Sequence, residues 1–305
     1  MSSIDNGRNK SKLPSTLIQP TAMGMAVAAA VNCKQPIDIP QYTTLNEKYG
    51  ILADESIGKK HGKDFVLSYY GIGIGGSRSI GSSGSILEDR KVHQHQPTDQ
   101  NAFYPIPFLI RLITDDIDPT VRDKYRMRVV RKIGDKIYVM YYLKAINFDQ
   151  FNPSVKIGER DATNGNESDR PYIYKKEDLS PAPYELVDVN SVPLSNQFAK
   201  GTGKMDLTLN TDDLNEIKNV CRVLFGDASK AALNEMYLAY GIESSNDGQI
   251  GETGTVKYKE LQSAIVSFNL TEAWARDANA NTKFPWFFYY GNSTPLLVDM
   301  TAAAG

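Results

Sequence analysis

The stretch YRMRVVRKIGDKIYVMYYLKAI, residues 125–146, decides the fold class. Tyr125 to Ile133 and Lys136 to Ile146 are two runs of β-branched and aromatic residues, and Gly134-Asp135 between them is a two-residue turn signal. The spacing predicts an antiparallel hairpin. In its second limb Ile137, Val139, Tyr141 and Leu143 fall on one face, with Tyr138, Met140, Tyr142 and Lys144 on the other. Both faces need cover, so this strand belongs inside a sheet.

Weaker signals extend the pattern in both directions. Phe65 to Tyr70 reads as a strand feeding a glycine-rich loop made of Gly71, Gly73, Gly75, Gly76, Gly81 and Gly84. Asp118-Pro119 opens a brief helical connector over Thr120 to Lys124, with proline at the first helical position. Residues 147–170 are dense in turn formers and mark a boundary. Beyond them lie short β-like pieces at Tyr172–Lys175, Tyr184–Val189 and Met205–Leu209, while Gly201-Thr202-Gly203-Lys204 reads as a turn.

Thr211 to Phe225 is the clearest helix. Asn210 caps it, Asp212, Asp213 and Glu216 sit at its positive end, and Gly226 follows its last apolar residue. Leu214, Ile217, Val220, Cys221, Leu224 and Phe225 form one stripe that must face a sheet or another helix. Leu233–Tyr240, Lys257–Leu270 and Pro285–Tyr290 are further strand candidates, followed by Leu296-Leu297-Val298, and the first of them also suits a helix.

Residues 1–62 carry Pro14, Pro20, Pro36 and Pro40, one candidate helix at Thr21–Val31 and no strand alternation. They read as an extended arm that is ordered by a neighbouring subunit. The expectation is therefore a mainly β chain with a few helices (α+β), built of β-sandwich or barrel-like units behind a long extended N-terminal arm. Residues 1–62 form the arm, 63–150 a β-rich domain, and 151–305 a second β-rich domain with the helix at 211–225.

With 34 basic and 36 acidic residues the net charge is −2, which supplies no global field for phosphate backbones or anionic lipid. Thr21–Val31 falls well short of the roughly 20 apolar residues a spanning helix needs, and no clean cleavage site follows it. Cys33 and Cys221 read as reduced thiols, and the sequons at Asn166, Asn269 and Asn292 as chance matches.

Chemistry is sparse. The glycines from Gly71 to Gly84 present N–H groups to an anion, yet no Lys-Ser or Lys-Thr pair closes the run and no receiving helix follows. His93 and His95 would share a strand face, but two ligands do not make a metal site, so both read as hydrogen-bonding loop or interface residues. Asp115, Asp116 and Asp118 adjoin Pro119, where capping explains them better than acid–base work. Arg122, Lys124, Arg126, Arg128, Arg131 and Lys132 suit pairing with carboxylates of a partner or of the same sheet. Trp286 to Tyr290 offers five aromatic residues, of which some should reach another sheet or subunit. No catalytic, cofactor or metal residue is assigned, and no enzyme activity is expected.

The order His95, Pro97, Thr98, Asp99, then Phe103-Tyr104-Pro105-Ile106-Pro107-Phe108, Arg111, Asp115-Asp116 and Tyr125-Arg126-Met127-Arg128 resembles virion structural proteins of tailed bacteriophages. Ala232 to Leu238, then Tyr258-Lys259-Glu260 and Ser267-Phe268, is similar to a β-rich element of phage tail and neck components, with Asn234 in place of an expected serine. The resemblance implies a multi-copy ring or wedge subunit at the neck, tail or baseplate of a virion, made in the host cytoplasm. Its partners would be copies of itself and portal, neck, tail or baseplate subunits, with no membrane and at most transient contact with an exiting genome. A carbohydrate- or receptor-binding β module and a hydrolase with dispersed catalytic residues are the competing expectations.

Overall fold

A computed structural model describes residues 16–51, 58–79, 90–161, 167–182, 196–250, 254–280 and 282–296. The expected strand at Tyr184–Val189, Leu297 and Val298, Gly81 and Gly84, the sequon at Asn166 and the start of the expected arm, residues 1–15, lie outside the described residues. Two compact units divide the chain at Ile146/Asn147, Thr208/Leu209 and Phe284/Pro285.

In the first unit β1 (Thr16–Pro20), α1 (Ala22–Cys33), β2 (Pro36–Ile39), α2 (Leu45–Tyr49) and β3 (Gly58–His61) precede β4 (Val66–Gly73). Short strands β5 (Ser77–Ser79), β6 (Arg90–Val92), β7 (Pro105–Ile106) and β8 (Leu109–Leu112) lead to α3 (Pro119–Arg122), then to β9 (Tyr125–Ile133) and β10 (Lys136–Ala145). The second unit takes β11 (Ser154–Arg160), β12 (Glu167–Pro171) and β13 (Gln197–Asp206). The chain re-enters the first unit as α4 (Thr211–Phe225), β14 (Ala232–Ile250) and β15 (Gly254–Asp277), and β16 (Phe287–Pro295) completes the second.

The first unit is an eight-stranded antiparallel sheet in the order β1-β15-β14-β4-β10-β8, with β7 on β4 and β9 on β10. Its core gathers Tyr69, Ile72, Phe108, Ile110, Val139, Tyr141, Leu143, Leu238, Ile265 and, from α4, Leu214, Ile217 and Val220. The second unit is a four-stranded antiparallel sheet, β12-β11-β13-β16. The chain is thus mainly β with a few helices.

Several expectations require correction. Residues 16–51 are not an extended arm: β1 pairs with β15, Val27 and Leu45 are fully buried, and Gly24 brings α1 so close to Ser267 that an added Cβ would stand 2.5 Å from its Cα. Small residues let this helix seat without a strong apolar stripe. The division into 63–150 and 151–305 also fails, because α4 and the β14–β15 hairpin belong to the first unit, where β14 pairs back onto β4. Gly71 and Gly73 lie inside β4, and Gly201 to Lys204 inside β13, so neither glycine run is simply a loop or a turn. At Gly203 an added Cβ would enter the ring of Phe151, so glycine is needed there for ring packing. Tyr172–Lys175 is irregular and leads into a 3-10 turn, Lys176–Leu179.

Candidate functional site

β14 places Glu235 opposite Gly73 on one side and Thr271 on the other, and Tyr237 opposite Gly71 and Asn269. Residues two apart on a strand share a face. The glycines leave room for the two long side chains: a Cβ on Gly71 would run into the Tyr237 ring, and one on Gly73 would stand 2.6 Å from Glu235 Oε2. Gly71→Ala is therefore expected to destabilise the first unit by about 1–3 kcal/mol, the usual cost of overpacking. Urea unfolding followed by circular dichroism measures it, and an unchanged midpoint would mean that Tyr237 has somewhere else to go.

The Glu235 side chain, 1% exposed, is held from several sides. Its Oε2 accepts from the Gly75 amide at 2.7 Å and the Tyr104 amide at 3.1 Å, and Oε1 from the Phe103 amide at 2.9 Å. His95 Nε2 stands 3.4 Å from Oε1, a polar contact without the alignment of a formed hydrogen bond. The other ring nitrogen, Nδ1, lies 3.0 Å from Asp99 Oδ2, so the imidazole stands between two carboxylates. Asp99 Oδ2 accepts from the Gln96 amide, and the imidazole stacks on Phe103 with ring centres 3.9 Å apart. Next door, Asn234 accepts from the Gly76 amide and donates to Ser77 O.

Burial alone would raise the pKa of Glu235, but His95 and the three backbone N–H groups outweigh it and hold the carboxyl below its ordinary value. One amide of the glycine-rich run, that of Gly75, does meet an anion, and the anion is the chain's own Glu235. With both oxygens engaged, this carboxylate is a clamp that ties Gly75 and the segment from His95 to Tyr104 onto the sheet. A cleft of about 430 Å³ lies beside the clamp, lined by His93, Phe103, Tyr104, Phe225 and Lys230.

The residues singled out in the sequence disperse. His93 and His95 follow β6 in irregular backbone, and both rings meet Phe103. Among the described residues no group of three His, Cys, Asp or Glu side chains is arranged to hold a metal ion. Asp118 caps α3 by accepting from the Thr120 amide, whereas Asp116 pairs with Arg128 and accepts from Tyr141 Oη at 2.8 Å. Three of the six residues of the basic stretch pair with carboxylates of the first unit: Arg122 with Glu260, Arg126 with Glu243 and Arg128 with Asp116. Trp286 and Phe288 are buried while Phe287 and Tyr289 are exposed, so Trp286 is a core residue, not an interface anchor. Cys33 and Cys221 are both free, and burial pushes the Cys221 thiol up to about 11.

Glu235 is the residue that sequence reasoning missed. Its signal is a lone charge in the run Leu233 to Tyr240, two residues from a tyrosine and facing alternate glycines, a pattern visible only once the β4–β14 pairing is known. Glu235, on β14, is where the segment from His95 to Tyr104 meets the run Ala232 to Leu238. No curated protein and no solved structure matches the chain. Residues 7–304 match the family of unknown function DUF7208, and the chain belongs to that family.

Proposed function

We propose that the chain is a structural subunit of a tailed-phage virion, built of β-sandwich or barrel-like units and assembling in multiple copies as a ring or wedge at the neck, tail or baseplate. Its partners are copies of itself and neighbouring virion proteins, and its work is cohesion. The phage assignment rests on the sequence resemblance. The observation that carries the assembly reading is a set of bulky apolar side chains offered to solvent on an ordered turn. Ile173 is 80% exposed, Tyr174 68% and Leu179 86%. The turn beneath them is pinned by Asp178, which accepts from the Lys175 amide at 2.7 Å and from Tyr172 Oη at 2.8 Å. Side chains left clustered and exposed in this way support a protein contact surface.

The double variant Ile173→Ser, Leu179→Ser is expected to leave the melting temperature within about 2 °C, as surface changes usually do, and to weaken self-association at least tenfold. Light scattering over a concentration series of the full chain measures this. A wild-type chain that stays monomeric at every concentration, alone and with its neighbouring virion proteins, would sink the reading.

The carbohydrate- or receptor-binding alternative draws on the cleft beside Glu235, whose three aromatic rings and Lys230 resemble a ligand platform in composition. It requires saccharide binding by the isolated chain that Tyr104→Ala abolishes.

A further inference from the structure

A second cavity, of about 150 Å³, has no part in the Glu235 clamp. It is lined by Arg122, Arg126, Arg128 and Lys259 against a single lining carboxylate, Glu260. Arg126 is saturated by Glu243 and by the carbonyls of Asp123 and Tyr125. The others keep donors in reserve. Arg122 bonds Glu260 through Nη2 and Arg128 bonds Asp116 through Nε and Nη2. Among the described residues no hydrogen bond reaches Arg122 Nε or Nη1 or Arg128 Nη1. Lys259, 58% exposed, stands at the rim 3.2 Å from Glu243 Oε2.

Two further observations fall on the same cavity. Asn46, fully buried, lines it, and its amide is oriented by Nδ2 donating to Gln262 O at 3.0 Å, which leaves Oδ1 buried without a partner. Met127, also on the wall, holds a left-handed φ of +57° inside β9, where the ladder to β10 lapses between the Arg126–Leu143 and Arg128–Tyr141 pairs. A non-glycine residue held in that region is strained, and such strain gathers at functional sites. An unsatisfied buried acceptor likewise asks for a donor that the chain does not supply.

We propose that this cavity binds a phosphate group that retains an ionisable hydroxyl, either free inorganic phosphate or the terminal phosphate of a monoester. The unused guanidinium N–H groups and Lys259 neutralise the oxyanion, as arginine forks commonly do. The phosphate hydroxyl donates to Asn46 Oδ1. A cavity of this size holds several waters, and so a tetrahedral anion. The acceptor makes the site selective: sulfate has the same shape but no proton near neutral pH, and a phosphodiester has lost its hydroxyl, so either would set a bare oxygen against Asn46 Oδ1.

The test is calorimetric titration of the full chain at pH 6.5 and constant ionic strength with inorganic phosphate, glycerol phosphate and sulfate. Phosphate should bind saturably and at least tenfold more tightly than sulfate. Glycerol phosphate matching phosphate would indicate a monoester as the natural source, and its exclusion would indicate the free ion. Lys259→Gln, on the exposed rim, should weaken binding about three- to tenfold, and Arg122→Gln more. Phosphorus NMR line broadening on the wild-type chain provides a check independent of how well either variant folds. Equal affinity for sulfate and phosphate, binding unchanged in both variants, or heats no larger than those of chloride would each overturn the proposal.

Discussion

Glu235→Gln is expected to destabilise the first unit by about 3–5 kcal/mol, the range for breaking a buried charged contact while its partners stay behind. The amide is nearly isosteric, so the loss is electrostatic rather than a matter of packing. One of its two polar ends would be an NH2 group facing amides that already donate, those of Gly75 and Tyr104 or that of Phe103. Each hydrogen bond to a charged group contributes about 1.5–3 kcal/mol. For a unit of this size the melting temperature should fall by roughly 6–20 °C. Hydrogen exchange on β14 peptides assigns the loss to the first unit, and a change below about 1 kcal/mol would show that the clamp is idle.

The same clamp fixes the sign of the acid response. Glu235 and Glu243 are both pushed up by burial, and both are brought below their ordinary values by the hydrogen bonds and cations around them. A carboxyl whose folded pKa is depressed contributes stability that is complete above its unfolded value, about 4.3, and is lost as pH falls through the lower folded value. Wild-type stability should therefore decline on the acid side of pH 5, and the gap between wild type and Glu235→Gln should narrow there.

Several local signals in the sequence translate directly into local structure. Asn210, Asp213 and Gly226 bound α4 as expected, with a capping box at one end and a left-handed glycine at the other. Gly134, at φ +58°, turns the β9–β10 hairpin. Asp118 and Pro119 start α3, and Thr21 caps α1 by accepting from the Gly24 amide. What stays hidden is long-range. The 19-residue β14, paired with the 24-residue β15, runs on through Ser244, Ser245, Asn246, Asp247 and Gly248, poor strand formers that lie between the expected strands. They stay paired because Asp247 lies opposite Lys257 and Asn246 opposite Tyr258, and because α3 supports the ribbon through Pro119 near Gly248 and Arg122 over the Tyr258 ring. Chain order likewise conceals that the two units are interleaved, each built from two separate segments of the chain. The Glu235 clamp joins residues from Gly75, His95, Phe103 and β14, a convergence that no linear spacing encodes.

Arg126→Met is the second change of large expected effect, again about 3–5 kcal/mol, because it leaves a carboxylate and several carbonyls without their shared donor. Arg126 is 4% exposed, and its Nε and Nη2 reach Glu243 Oε1 at 3.1 and 2.9 Å. Its Nη1 donates to Asp123 O at 2.5 Å and Tyr125 O at 3.1 Å. The planar fork serves the β14 carboxylate and the backbone before β9 at once, a geometry that lysine cannot reproduce, so Arg126→Lys should recover less than half of the loss. Glu243 would keep Tyr69 and Lys259 but lose its buried cation. The double variant Arg126→Met, Glu243→Met should then be more stable than the sum of the single losses by about 1–3 kcal/mol, since removing both charges abolishes the uncompensated one. Denaturant unfolding of the four proteins in the cycle gives that coupling directly. Strict additivity would mean that the two side chains are neighbours without being partners, and that β9 is held to β14 by packing alone.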